Sequence, residues 1–210
     1  MNKKNTIIVI ILLFVVLMVF VLIKVYCIKI NKSFRQKYKI NYDINQIKYL
    51  EESLDIIEIK YNWTEPLVME NRPYIIIYHH TAINEISAEE IDTLHKGKGW
   101  KGIGYHYFIR KNGDIYIGRP EAAEGSHACN NNFISIGIAV EGNFEEEYLT
   151  IEQMKSIVKL SEYLCIMYDI KDVIGHNAVG YTLWPGKYFP LVKIREELIK
   201  NLKELGKSIN

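Results

Sequence analysis

Any metal-centred chemistry in this sequence must rest on imidazole. The chain has six histidines, whereas Cys27, Cys129 and Cys165 are too few and too scattered for a thiolate cluster or a disulfide scaffold. His79 and His80 close an apolar run, His106 follows Gly104-Tyr105, His127 lies in Gly-Ser-His-Ala, and His176 follows Gly175. Neutral imidazole is a common metal ligand and titrates near neutrality, so a group of them could hold a cation or move a proton. A single histidine at a strand end is more often a hydrogen-bonded structural residue. The chemistry therefore depends on whether the fold gathers several.

The elements that would gather them are legible. Residues 74–79, Tyr-Ile-Ile-Ile-Tyr-His after Pro73, form the β-branched and aromatic run of a central strand buried on both faces. Side chains alternate along a strand, so His79 and His80 must point to opposite faces. Ser87 and Glu90 make a capping box, with Ile86 and Ile91 at the staple positions, predicting a helix that Gly97 stops. Segments 105–109 and 115–117 flank Asn112-Gly113, a hairpin signal requiring positive φ at both turn residues. Residues 134–140 read as another strand. A second capping box, Thr150 with Gln153, opens a helix ending near Tyr168 with Met154, Ile157, Val158, Leu160 and Leu164 on its inner face. Ile194, Leu198, Leu202 and Leu205 mark a last helix over 191–205. Strands and helices interleave around one hairpin, so the expected fold class is α/β, a mixed central sheet covered by helices.

The 210 residues hold one ordinary domain plus an accessory segment, and 49% hydrophobic with 24% charged residues is a globular balance. Lys and Arg total 26 against 25 Asp and Glu, a net charge of +1, which excludes a nucleic-acid partner recruited by bulk basicity. Residues 7–23 are 17 consecutive apolar residues. As a helix they span roughly 26 Å, near the minimum for a bilayer. No small-residue cleavage site follows, so the run reads as an uncleaved transmembrane helix and the chain as a single-pass membrane protein. The expected organisation is a basic N-terminus at 1–5, an anchor at 6–26, a basic stalk at 27–53, a domain at 54–205 and a tail at 206–210. Lys3 and Lys4 precede the run while Lys24, Lys29, Lys32, Arg35, Lys37 and Lys39 follow it, which points the domain inward. Long domains translocate largely regardless of flanking charge, so the domain's own chemistry decides its side.

Four segments carry that chemistry: IIIYHHTA at 75–82, GIGYHYFIRKNGDIYIGRP at 102–120, EGSHACNNNFISIGIAVEGNF at 124–144, and IGHNAVGYTLWPGKYFP at 174–190. In this order they resemble the type-2 N-acetylmuramoyl-L-alanine amidases, which share their fold with peptidoglycan recognition proteins and phage T7-type lysozymes. The resemblance covers about residues 55–200. It implies a mixed-sheet fold, a groove for the muramyl peptide of peptidoglycan, a Zn²⁺ ion on the groove floor, and a domain facing the cell wall. It assigns His79 and His176 as zinc ligands and Tyr105 and Thr182 as catalytic auxiliaries. It assigns His80, Thr81, Arg119, Ser126, His127 and Asn131 to substrate binding.

The family's third zinc ligand, a cysteine or aspartate, stands eight residues after the second histidine and directly before Pro-Gly. Here that position is Trp184. An indole nitrogen donates a hydrogen bond and has no available lone pair for a metal. Residues 178–194 contain no Cys, Asp, Glu or His to replace it. Loss of one of three protein ligands weakens zinc binding by orders of magnitude. The expectation is a membrane-anchored muramyl-peptide recognition domain with impaired catalysis; the alternative is an active zinc amidase that cleaves the lactyl–L-alanine amide.

Overall fold

The computed structural model describes residues 14–20, 22–23, 32–41 and 44–208. Residues 1–32 and 33–210 form separate units. In the first, residues 14–20 and 22–23 are helical and their apolar side chains are exposed. The rest of the 7–23 run and Cys27 lie outside the described residues. Among the described residues no helix is long and apolar enough to cross a membrane.

The second unit is built on five strands: β1 (Ile75–His80), β2 (Tyr107–Ile109), β3 (Ile115–Ile117), β4 (Ser135–Val140) and β5 (Asp172–Gly175). Their order is β3-β2-β4-β1-β5, with only the β2/β3 pair antiparallel. This is the expected mixed sheet. Five helices accompany it: α1 (Phe34–Tyr38), α2 (Ile44–Ser53), α3 (Ala88–Gly97), α4 (Ile151–Met167) and α5 (Leu191–Ser208). Both predicted capping boxes form, Ser87 with Glu90 and Thr150 with Gln153. Each cap is worth about 1 kcal/mol and fixes where its helix starts.

β1 is an interior strand, paired on both edges by β4 and β5 and covered on both faces. Ile76 and Tyr78 join Ile136 and Ile138 in a core closed by Ile157, Leu160 and Leu164 of α4 and Ile194, Leu198 and Leu202 of α5. Each such buried side chain contributes roughly 1.5–3 kcal/mol. The Tyr78 hydroxyl also meets Ser161 Oγ at 2.6 Å. On the opposite face Phe108 and Ala139 pack with Ile91 of α3, Ile103 and Tyr105. Strand alternation therefore sends His79 toward the α3 side and His80 toward the α4 and α5 side.

Three features differ from the sequence expectation. In the β2/β3 hairpin Gly113 alone has positive φ, +91°, and Asn112 does not. The Arg110 N–H donates to Asp114 O, leaving a three-residue loop that needs only one left-handed position. β5 was not anticipated, since four residues carry too short a pattern to stand out. The basic stretch 33–53, read as stalk, folds onto the domain. Ser33 caps α1 and donates from Oγ to Asp169 at 3.0 Å, the Phe34 N–H donates to Ile170 O, and Phe34, Ile40 and Leu54 are buried in the main core. Widely spaced apolar residues among outward-facing cations conceal this segment's inner face. A Phe34→Ala change is expected to lower stability by about 3 kcal/mol, read from the denaturant midpoint. A shift below about 0.5 kcal/mol, the level of an ordinary surface substitution, would return the segment to a stalk.

Candidate functional site

The site lies at the C-terminal ends of β1 and β5. Pairing of Tyr78 with Gly175 sets the strand ends side by side, and a 3₁₀ turn, His176–Ala178, begins directly after β5. The rings of His79 and His176 consequently stand 4.6 Å apart, centroid to centroid. Residues 176–186 return as a strap, closed by the Asn177 N–H donating to Trp184 O at 2.7 Å and the Trp184 N–H donating to Thr182 Oγ1 at 3.2 Å. The strap places the Trp184 ring 6.0 Å from both imidazoles.

A hydrogen-bond chain fixes the tautomer of His79. Ser135 Oγ donates to Asn131 O at 2.6 Å, so it accepts from His127 Nε2 at 3.4 Å. His127 Nδ1 is then an acceptor, and His79 Nε2 donates to it at 3.0 Å. His79 Nδ1 is left with a free lone pair, as an outer partner leaves a metal-ligating histidine. His127 fits because Gly137 and Gly125 lack side chains: a Cβ at either would lie 2.6 or 2.5 Å from its ring. His79 Nδ1 and His176 Nδ1 are both buried without a hydrogen-bond partner. Burial holds His79, His127 and His176 below the usual histidine pKa, so the neutral imidazoles keep their lone pairs at neutral pH.

Two unpaired nitrogens fit a metal; the complete donor set does not fit catalytic zinc, which takes three protein ligands and leaves one position to water or substrate. His127 meets His79 at Nε2, on the far side of the ring from Nδ1. His106 has both nitrogens engaged, accepting from the Gly137 N–H and donating to Ala123 O. His80 lies across the sheet, its Nδ1 accepting from the Phe144 N–H at 3.1 Å. Among the described residues no group of three or more His, Cys, Asp or Glu is placed to hold a metal ion.

Beside the histidines lies a cavity of about 320 Å³ lined by Thr64, Trp100, Lys101, Arg119, Ser126 and Asn132, among others. Ring contacts connect the two sites, from His79 to Tyr105, Tyr105 to His95, and His95 to Trp100 at 5.1, 5.2 and 4.5 Å. Arg119 is 3% exposed. Its Nε donates to Ile103 O and its Nη1 to Glu124 O, both at 2.7 Å, while Nη2 is buried without a partner. A guanidinium stays charged in such a place, beside a cavity whose lining also includes Glu65 and Glu124.

The residues assigned by resemblance divide accordingly. His79, His176, Tyr105 and Trp184 share one cluster, and burial pushes the Tyr105 hydroxyl well above the usual tyrosine pKa, keeping it a proton donor. Thr182 braces the Trp184 backbone. Arg119 and Ser126 line the cavity. His80 and His127 are both buried, His80 in a backbone hydrogen bond and His127 behind His79. Thr81 Oγ1 donates to Ile83 O and accepts from the Gly142 N–H, a turn role beside the cluster. Asn131 bonds within its own loop, whereas its neighbour Asn132 caps the His127 and Ala128 N–H groups and reaches the cavity. Sequence reasoning missed Asn132, His95, Trp100 and Lys101; the Gly99-Trp100-Lys101 step between helix and strand was the available signal.

Comparison with known proteins agrees with this geometry. A solved structure of the endolysin N-acetylmuramoyl-L-alanine amidase LysCS from Clostridium intestinale URNW is 49% identical, with a TM-score of 0.67 over 68% of this chain and 94% of that one. The endolysin of Escherichia phage T7 is 33% identical over 105 residues, 48% of this chain and 70% of the endolysin. The bumblebee peptidoglycan recognition protein PGRP-SA is 26% identical, with a TM-score of 0.58 over 67% of this chain and 93% of that one. Residues 69–187 match the Amidase_2 family, N-acetylmuramoyl-L-alanine amidase, and the chain belongs to that family.

Proposed function

We propose that this protein is a membrane-anchored receptor for the muramyl peptides of peptidoglycan that binds its ligand without cutting it. The observation carrying the reading is Trp184, an indole at the third-ligand position beside His79 and His176. In this family zinc supplies the Lewis acid and a bound water of pKa about 7. With no third donor the metal is not retained, and amides resist attack at neutral pH. Arg119 and Ser126 of the assigned binding residues line the neighbouring cavity, together with Asn132. A stem-peptide carboxylate would satisfy the unpaired Arg119 Nη2, with the peptide lying against Trp100 and Asn132 and the protonated Tyr105 hydroxyl available to a carbonyl. The apolar run 7–23 would tether the domain facing the wall, and shaving of intact cells with protease tests that topology. Cleavage confined to inside-out vesicles would reverse it.

The decisive assay uses the full chain in detergent with insoluble peptidoglycan and purified muropeptide. It should sediment with the wall and release no stem peptide. Failure to sediment removes the receptor reading. Stem-peptide release suppressed by a chelator establishes the alternative, an active amidase, which the 49% identity to LysCS favours. Arg119 provides a finer test, because a hydrogen bond to a charged group is worth about 1.5–3 kcal/mol. Muropeptide with a free terminal carboxylate should bind roughly 10-fold or more tightly than its amidated form. Arg119→Lys should narrow that preference, and equal affinity of the wild type for both forms would remove Arg119 as the carboxylate contact.

A further inference from the structure

The net charge of +1 conceals a segregation of charge. Helix α1 packs against the C-terminal end of α5: a Cβ at Gly206 would lie 2.3 Å from Tyr38 O, and the Lys37 and Lys203 ammonium groups stand 5.4 and 6.0 Å from the Tyr38 ring centroid. The Phe34 N–H donates to Ile170 O, so the next residue, Lys171, emerges at the same end, its Nζ 5.2 Å from the Tyr74 ring. Lys37, Lys39, Lys171, Lys203 and Lys207 are all exposed there. Of the carboxylates at this end, Asp169 accepts from Ser33 Oγ, and Glu204 is exposed next to Lys203 in sequence. The acidic residues Glu51, Glu52, Asp55 and Glu121 line a separate cavity on the α2 flank.

This basic end is the pole opposite the histidine site. Tyr74 and Lys171 precede the parallel strands β1 and β5, whereas His79 and His176 stand where those strands finish. A six-residue strand is about 20 Å long, roughly twice the distance over which salt screens an exposed charge. The two poles can therefore meet different partners.

Recognition of a muramyl peptide at one pole does not call for lysines at the other. Tyr38 and Tyr74, interleaved with those lysines, are of the residue type enriched at membrane–water interfaces. The course of the chain selects the partner. With residues 7–23 in a bilayer, the nine residues 24–32 hold Ser33 within about 30 Å of its surface. A cationic face at the point where the domain begins is then presented to lipid headgroups at high effective concentration, and each lysine near an anionic surface adds to the attraction.

We infer that the α1 and α5 end of the domain docks on an anionic lipid surface, holding the histidine pole away from the bilayer. The inference rests on the reading of residues 7–23 as an anchor, and it holds on either side of the membrane. It gives the exposed lysines after the apolar run a task besides setting topology.

The test reconstitutes the full chain into vesicles of phosphatidylcholine, alone or with about one-third phosphatidylglycerol, isolates them by flotation, and follows lysine acylation by mass spectrometry. The anionic lipid should slow Lys37, Lys203 and Lys207 roughly 5-fold relative to Lys155 and Lys193, near the N-terminal ends of α4 and α5. Salt at about 0.5 M should abolish the difference. In a Lys37→Gln, Lys203→Gln, Lys207→Gln variant, whose changed side chains are all exposed, protection of Lys171 should be lost as well. Equal rates in both lipids, comparable slowing of Lys155 and Lys193, or undiminished protection of Lys171 in the variant overturns docking. Equal protection by soluble polyglycerol phosphate added to neutral vesicles assigns the face to an anionic wall polymer and overturns the lipid assignment. Flotation with anionic but not with neutral vesicles overturns the anchor and supports the docking face alone, whereas flotation with neither overturns both.

Discussion

Trp184→Cys should give the full chain a zinc affinity at least about 1,000-fold above wild type, because it completes the three-ligand set that catalytic zinc requires. The strap holds residue 184 by its main-chain N–H and C=O, so the backbone should survive the exchange and put the thiolate where the indole now lies, beside both imidazoles. The indole is half-buried, and its removal leaves a gap costing about 2–3 kcal/mol, which bound metal would offset. Zinc competition with a chromophoric chelator measures the gain, and muropeptide assays should show stem-peptide release by the variant above that of wild type. Trp184→Ala separates ligand from space: it should open the pocket and gain no zinc. If the cysteine variant holds zinc no better than wild type, residue 184 is not the third ligand position and the account of lost catalysis fails.

Acid should begin to destabilise this domain from about pH 6.5 downward, before most carboxylates titrate. Burial pulls the pKa of both His95 and His106 from 6.5 down to about 4. The folded pKa lies below the unfolded one, so between pH 6.5 and 4 the unfolded chain binds more protons. Stability is then full above pH 6.5 and falls as pH drops toward 4, by roughly 3 kcal/mol for each histidine. Burial of His79 and His127 acts in the same direction. Against a typical total of about 5–15 kcal/mol, this places acid unfolding between roughly pH 6 and 4. Denaturant midpoints taken across that range test it, and a flat profile would mean the buried imidazoles are protonated in the fold. His106→Gln should flatten part of the slope.

What the sequence revealed and concealed has physical causes. β1, both capping boxes and the terminal helix were legible because burial on two faces, side-chain capping and helical spacing are local patterns. The pairing of His79 with His176 was legible only through motif resemblance, since 96 residues of chain separate them and only the register of β5 beside β1 brings them together. The place of His127 behind His79 was not legible because nothing local reveals that Gly125 and Gly137 make a slot there. That Asn132 caps two backbone N–H groups while Asn131 bonds within its own loop is set by the loop's hydrogen bonds and not by the sequence pattern. Helix α1 was hidden because its inward face is little more than Phe34, with Ile40 just beyond its end, amid a run of cations.

The strap around residue 184 has an evolutionary corollary. Its hydrogen bonds ask only for an amide and a carbonyl at that place, which every amino acid except proline supplies. The tryptophan codon differs from both cysteine codons at its third base alone. Receptor and hydrolase would then be neighbouring genotypes on one scaffold, a single transversion apart.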